Sequence, residues 1–106
     1  MLVLFKGEVK GTLPMPPEQF FKLTVKHIES LVSYKQDGKI LAGGIIAGSK
    51  GSYAIFDVDS IEELQKLVAQ LPLFPFGEFK LVPLISYELA HESAKKRLAS
   101  MNESKK

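Results

Sequence analysis

The chain has 106 residues, 45% hydrophobic and 25% charged, with a formal net charge of +2, a length that fits one domain and leaves no room for a second independent core. Its longest apolar runs, such as Leu2 to Phe5 and Ile45 to Ala47, fall far short of the roughly 20 residues needed to span a bilayer, and Lys6 and Glu8 interrupt the first too early for a secretion signal, so no membrane association and a cytoplasmic location are expected. With no cysteine, a disulfide framework, a thiolate nucleophile and a Cys-based zinc site are closed.

The charge excess sits at the end of the chain. From Glu88 onward there are five cations (Lys95, Lys96, Arg97, Lys105, Lys106) and three anions (Glu88, Glu92, Glu103), leaving residues 1–87 with nine of each sign. A nucleic-acid binder carries a basic face on its folded body. A basic terminal tail reads instead as a solubilising end, so no nucleic-acid partner is expected.

In chain order, Leu2-Val3-Leu4-Phe5-Lys6-Gly7-Glu8-Val9-Lys10 starts apolar and then alternates, as a strand does on leaving a core for the surface. Gly11 to Pro17 holds three prolines, which remove donors and bias their predecessors to extended geometry, so a loop delivers the chain to a helix with Pro16 or Pro17 in its first turn. From Glu18 to about Asp37 the period is helical, with three faces. Phe21, Val25, Ile28 and Val32 form an apolar stripe predicted to lie on the sheet; Lys22, Lys26, Glu29 and Ser33 form the solvated face. Between them runs a mixed stripe of Phe20, Thr24, His27, Leu31 and Tyr34. Gly38 stands where a left-handed cap ends a helix.

Lys39 to Ala47 and Ser52 to Val58 read as two strands joined by Gly48-Ser49-Lys50-Gly51, a loop of hairpin length that lacks the length and following helix of a phosphate-binding loop. Gly43 and Gly44 suggest a bulge or a close backbone approach. Ser60 with Glu63 three residues on predicts a capping box, opening a helix on Ile61, Leu64, Val68 and Leu71; Asp57 and Asp59 read as charges favoured at that N-terminus. Leu71-Pro72-Leu73-Phe74-Pro75-Phe76-Gly77 leads to a last strand, Glu78 to about Tyr87, whose Pro83 predicts an edge position or a bulge. The tail, residues 88–106, reads as a partly helical end on Ala90, Ala94, Leu98 and Met101, fading into disorder.

The order is β-α-β-β-α-β, the split β-α-β or ferredoxin-like arrangement of an α+β domain over residues 1–87 with a four-stranded antiparallel sheet. Two helices cover one face of such a sheet, yet the strands are apolar on both. Leu2 and Leu4 oppose Val3 and Phe5, Tyr53 and Ile55 oppose Ala54 and Phe56, and Phe79 and Leu81 oppose Val82 and Leu84. An apolar patch of that kind marks an interface, so a homodimer with sheets face to face, a dimeric α/β barrel, is expected, with apolar cavities beside each sheet.

Tyr53-Ala54-Ile55-Phe56-Asp57-Val58, a capped helix, then Leu71-Pro72-Leu73-Phe74-Pro75-Phe76 resembles the muconolactone isomerase family, in which Tyr-x-x-Phe-Asp-Val precedes a helix and Leu-Pro-Leu-Phe-Pro. Gly38, Ile46-Ala47-Gly48 and the prolines around Met15 fall at matching places, so the resemblance covers roughly residues 1 to 87. It implies a ferredoxin-like subunit, dimers that assemble into decamers, and a proton shift that needs no cofactor and moves a carbon–carbon double bond in a small lactone of aromatic catabolism. Where the family carries tryptophans and arginines after the first helix, this chain has Lys39-Ile40-Leu41-Ala42-Gly43-Gly44-Ile45, and no arginine precedes Arg97; an acidic lactone would meet lysines or backbone donors. Thr24 and His27 stand where the family's first helix has a lysine and a glutamate.

Proton abstraction beside a carbonyl needs a base near neutral pKa and a donor for the developing enolate oxygen. His27, the only internal histidine, is the candidate base, with Thr24 and Tyr34 or Tyr53 as partners; its bland reading is a structural hydrogen-bonder. Phe74 and Phe76 either line a small-molecule pocket together with Tyr53 or seal the core or subunit contact. His91, beside Glu92 with no second ligand nearby, is no metal site. The alternative to an isomerase is a binding or assembly protein that keeps the scaffold without the chemistry; geometrically, the two differ in whether His27, Thr24 and a tyrosine converge on one cavity.

Overall fold

The computed structural model describes residues 1–104. Strand β1 (Leu2–Val9) is followed by helix α1 (Pro17–Gln36), strands β2 (Ile40–Ile45) and β3 (Gly51–Asp57), helix α2 (Ile61–Ala69), a 3-10 turn (Phe74–Phe76), strand β4 (Gly77–Leu84) and helix α3 (Tyr87–Ser104). The four strands form one antiparallel sheet in the order β2-β3-β1-β4, so this is an α+β, ferredoxin-like fold. β4 lies at an edge, where Pro83 forfeits no central ladder bond.

Local chemistry accounts for the boundaries. Pro17 opens α1, and Gly38, at φ +78°, closes it in the left-handed region that only glycine enters freely. The Gly38 and Lys39 amides return to the carbonyls of Lys35 and Tyr34 at 3.1 and 2.9 Å. Ser60 Oγ accepts the Glu63 amide at 3.1 Å, but the reciprocal half of the capping box is missing, because the Glu63 carboxylate pairs with Lys39 Nζ at 2.6 Å. That pairing ties the start of α2 to the residue entering β2.

The bulge in β2 falls at Leu41, between Ile40 and Ala42, one step before the two glycines. Gly43 is the close approach. A Cβ built there would lie 2.9 Å from Ala54 Cα and would overlap the Tyr53 carbonyl, whereas Gly44 has open space. Gly43→Ala is therefore expected to lower stability by about 1–3 kcal/mol, with Gly44→Ala nearly neutral; equal chemical-denaturation midpoints for the two variants would contradict this reading.

The core lies between the sheet and the helices. Val3, Phe56 and Leu64 are wholly buried, joined by Phe5, Ile40, Ala54, Val58, Val68 and Leu71. Its inner wall includes the odd positions of β1 and the even positions of β3, which register pairs as Val3 with Phe56 and Phe5 with Ala54. The other sheet face carries Leu2, Leu4 and Ile55, and no helix among the described residues covers it.

Helix α1 reverses the expected assignment of its faces. Phe21 and Val25 are 62% and 56% exposed, Ile28 and Val32 are also exposed, and the mixed stripe turns inward, with Leu31 and Tyr34 packed on the core. Both stripes have helical spacing, and Phe20, Leu23, Leu31 and Tyr34 supply comparable apolar area. The inner stripe's polar atoms find partners: Thr24 Oγ1 donates to the Phe20 carbonyl at 2.9 Å and Tyr34 Oη to the Leu67 carbonyl at 2.7 Å. Satisfied hydrogen bonds remove the cost of burying those groups.

The tail is a continuous helix through Ser104, and residues 105–106 lie outside the described residues. With Leu89, Leu98 and Met101 exposed along α3, the chain measures 70 Å in its longest dimension against 28 and 23 Å in the others. No helix among the described residues is long and apolar enough to cross a membrane.

Candidate active site

A cavity of about 200 Å³ opens between α1, the sheet and the Leu71–Phe74 segment. Its floor is aromatic: Phe5 and Phe79 stack across β1 and β4 with ring centroids 5.9 Å apart, and Phe74 packs on Phe79 at 5.2 Å. One wall is α1, which presents Phe20, Thr24 and His27 one turn apart, with Phe21 and Ile28 of the more exposed stripe also bordering the cavity. The β2–β3 turn, with Ser49 and Lys50, forms part of the rim.

His27 is held by the backbone. The Leu73 amide donates to its Nδ1 at 3.3 Å. In this segment the Phe74 and Phe76 amides bond the Leu71 and Leu73 carbonyls, and the ring supplies the acceptor that the Leu73 amide needs. Burial lowers the His27 pKa from the usual 6.5, so the ring is neutral at neutral pH. A neutral imidazole that accepts at Nδ1 carries its proton on Nε2. His27 thus offers the cavity a hydrogen-bond donor, while the nitrogen with the free lone pair is already engaged. The Thr24 hydroxyl, whose proton goes to the Phe20 carbonyl, retains lone pairs as acceptors.

Of the residues singled out from sequence, Thr24, His27 and Phe74 meet at the cavity. Tyr34 does not line it: its hydroxyl is committed to the Leu67 carbonyl, its ring packs against Phe56 at 6.4 Å, and desolvation raises its pKa above 10.0. Tyr53 faces the uncovered side of the sheet, where Lys6 Nζ lies 5.5 Å from its ring centroid, so no tyrosine converges with His27. Phe76 is also outside the cavity lining and partly exposed. Sequence reading missed Phe5, Phe20 and Phe79 as cavity walls, and Lys50, which it placed only in a turn. The alternation that puts Phe5 and Phe79 on one face was the available signal.

Two glutamates, Glu8 and Glu78, border the cavity along β1 and β4. They are register partners that alternate with Phe79 and Val9, and with Lys6, Lys10, Phe79 and Lys80 they also line a second depression. Glu78 pairs there with Lys10 at 3.1 Å.

Comparison with known proteins places the chain among proteins of one kind. The family model described as muconolactone delta-isomerase matches residues 1–90. The chain is 31% identical to the muconolactone delta-isomerase of Pseudomonas aeruginosa over 81 residues, covering 76% of this chain and 84% of that protein. It is 30% identical to that of Cupriavidus pinatubonensis over 87 residues, 82% of this chain and 95% of that one. Among solved structures, a crystal structure of muconolactone isomerase superposes with a TM-score of 0.74 at 31% identity over 82% of this chain and 91% of the other. A 5-chloro-2-hydroxyhydroquinone dehydrochlorinase from Burkholderia phenoliruptrix, in complex with 2,5-dihydroxybenzoquinone, shares the fold with a TM-score of 0.64 at 19% identity, over 83% of this chain and 97% of that one.

Proposed function

From the premise that the chain belongs to the muconolactone delta-isomerase family, we propose that it catalyses a double-bond shift, without a cofactor, in a small lactone or related enolisable acid of aromatic catabolism, using the cavity beside α1. The observation that carries this reading is His27, a neutral imidazole in an aromatic cavity with Nδ1 engaged by the Leu73 amide. When a proton leaves the carbon next to a carbonyl, charge gathers on the carbonyl oxygen. A preorganised donor stabilises that charge more in the transition state than in the substrate. The Nε2–H of His27 is suited to this role, with the Thr24 hydroxyl as a second polar contact and Phe5, Phe74 and Phe79 excluding water. His27 thus serves as electrophilic donor in place of base, since Nδ1 is occupied; Glu8, which borders the cavity and makes no ion pair among the described residues, is the carboxylate that takes the proton from carbon and returns it at the far end of the shifted double bond.

The active form is proposed to be a cytoplasmic homo-oligomer. Leu2, Leu4, Ile55, Val82 and Leu84 share the sheet face that no helix covers, and a second copy laid against it would remove that surface from water at roughly 25 cal/mol per Å².

Incubation of the purified protein with muconolactone in deuterated water, followed by proton NMR, is expected to show the double-bond shift with deuterium entering the migrating position. Neither isomerisation nor exchange, with muconolactone and a panel of enolisable lactones, would refute the reaction class.

A further inference from the structure

We propose that Lys50 is the specificity-determining residue of this cavity, engaging a carboxylate on the ligand so that the ligand's carbonyl is directed to His27. This inference rests on the lactone reading above and adds the residue that selects an anionic member of that class.

The charged residues bordering the cavity are Lys50, Glu8 and Glu78. Lys50 is the one cation of the three; the glutamates are register partners that also line a second depression with Lys6, Lys10 and Lys80. Its backbone is fixed: the Lys50 carbonyl accepts the Val9 amide at 3.2 Å, and the Ile46 amide bonds the Gly51 carbonyl across the turn at 2.8 Å. Its Nζ lies 5.5 Å from the ring centroid of Phe20, itself a wall of the cavity. Among the described residues Lys50 makes no ion pair; the four that form involve the chain's amino terminus, Lys10, Lys22 and Lys39.

A cation resting on an aromatic wall, with no carboxylate of its own, is a strong anchor for an anionic ligand at the mouth of an otherwise apolar cavity. His27 contributes a neutral donor about two helical turns further along α1 from Phe20. The two together recognise a compact molecule with a carboxylate at one end and a carbonyl at the other. An ammonium serves here because it accepts a carboxylate as a point charge, with no need for the planar fork that only arginine offers.

The test uses muconolactone and its methyl ester as a matched pair, with binding measured by calorimetry on the wild type, Lys50→Gln and Lys50→Arg. Lys50 is exposed in a turn, so neither substitution disturbs the core. Lys50→Gln is expected to weaken binding of the acid about tenfold, the scale of one hydrogen bond to a charged group. Binding of the ester should not change, and Lys50→Arg should retain most of the acid's affinity. Added salt should weaken acid binding by the wild type and not by Lys50→Gln. Unchanged acid binding in Lys50→Gln, an equal loss for acid and ester, or equal affinity of the wild type for both would overturn the role of Lys50 while leaving the lactone reading intact. Failure of the wild type to bind either probe would overturn the role of Lys50, and the lactone reading falls with it only if the isomerisation and exchange assay is also negative across the panel.

Discussion

Replacing His27 with alanine is expected to lower kcat/KM for lactone isomerisation by about two to three orders of magnitude, the cost of deleting one preorganised donor to a developing oxyanion. Two further substitutions separate what each ring nitrogen does. Glutamine places an amide nitrogen near the position of Nε2, keeping a donor for the ligand and giving up the acceptor for the Leu73 amide. Asparagine places its carbonyl near Nδ1, keeping that acceptor and losing the donor that reaches the cavity. A donor role makes His27→Gln the more active of the two and His27→Asn the more stable, because an unpartnered buried amide costs about 1–3 kcal/mol. If His27 acted as a base, both variants would be as inactive as alanine. If it were only structural, His27→Asn would match the wild type. Parallel kinetics and urea unfolding on the three variants decide among these outcomes.

The same ring makes stability depend on pH. Burial holds the His27 pKa below its unfolded value of 6.5, so the native state keeps the ring neutral in a range where the unfolded chain already binds a proton. Its contribution is therefore complete above 6.5 and is lost as pH falls from there through the lower native pKa. Protonation also puts a hydrogen on Nδ1, pointing it at the Leu73 amide and breaking the contact that orients the ring. Activity should fall over that lower range too. His27→Asn, which does not titrate, should show a flatter loss of stability below 6.5 than the wild type.

The order of elements was legible because punctuation residues mark each change of period: the prolines before α1, Gly38 after it, Ser60 before α2 and the Leu71–Gly77 run before β4. His27 and Thr24 could be found because they interrupt an apolar helix at one-turn spacing. The face that α1 turns inward was not legible, since periodicity locates stripes without ranking them. What decides is partnership: Tyr34 has the Leu67 carbonyl and His27 the Leu73 amide, residues 33 and 46 positions away. The same long-range contact takes Tyr34 out of the site, because a hydroxyl already given to a carbonyl does not line the cavity. Tyr53 was a matter of parity. Two-sided apolar strands were correctly read as such, but a residue two steps from Ile55 on β3 lies on the side away from α1. Lys50 escaped because a turn lysine is an ordinary surface residue until the fold sets that turn beside Phe20.

Phe56→Ala should be the most damaging single substitution for stability, costing about 3–5 kcal/mol. The ring is wholly buried, meets Phe5 edge-on at a centroid distance of 5.8 Å and lies 6.4 Å from Tyr34. Its backbone is flanked by Val3 on β1 and Ile40 on β2, so strands on both sides hold the neighbouring side chains in place and the cavity left by truncation cannot collapse. A domain of this size has about 5–15 kcal/mol of stability in total, so the variant should populate the unfolded state under mild denaturant. Phe56→Leu, which removes less volume, should lose markedly less. The consequence reaches the site, because Phe56 supports Tyr34 and Tyr34 anchors the C-terminal half of the helix that carries His27. Urea unfolding with an unchanged slope and a lowered midpoint is the expected result; a loss below about 1 kcal/mol would mean that this ring is not what holds α1 against the sheet.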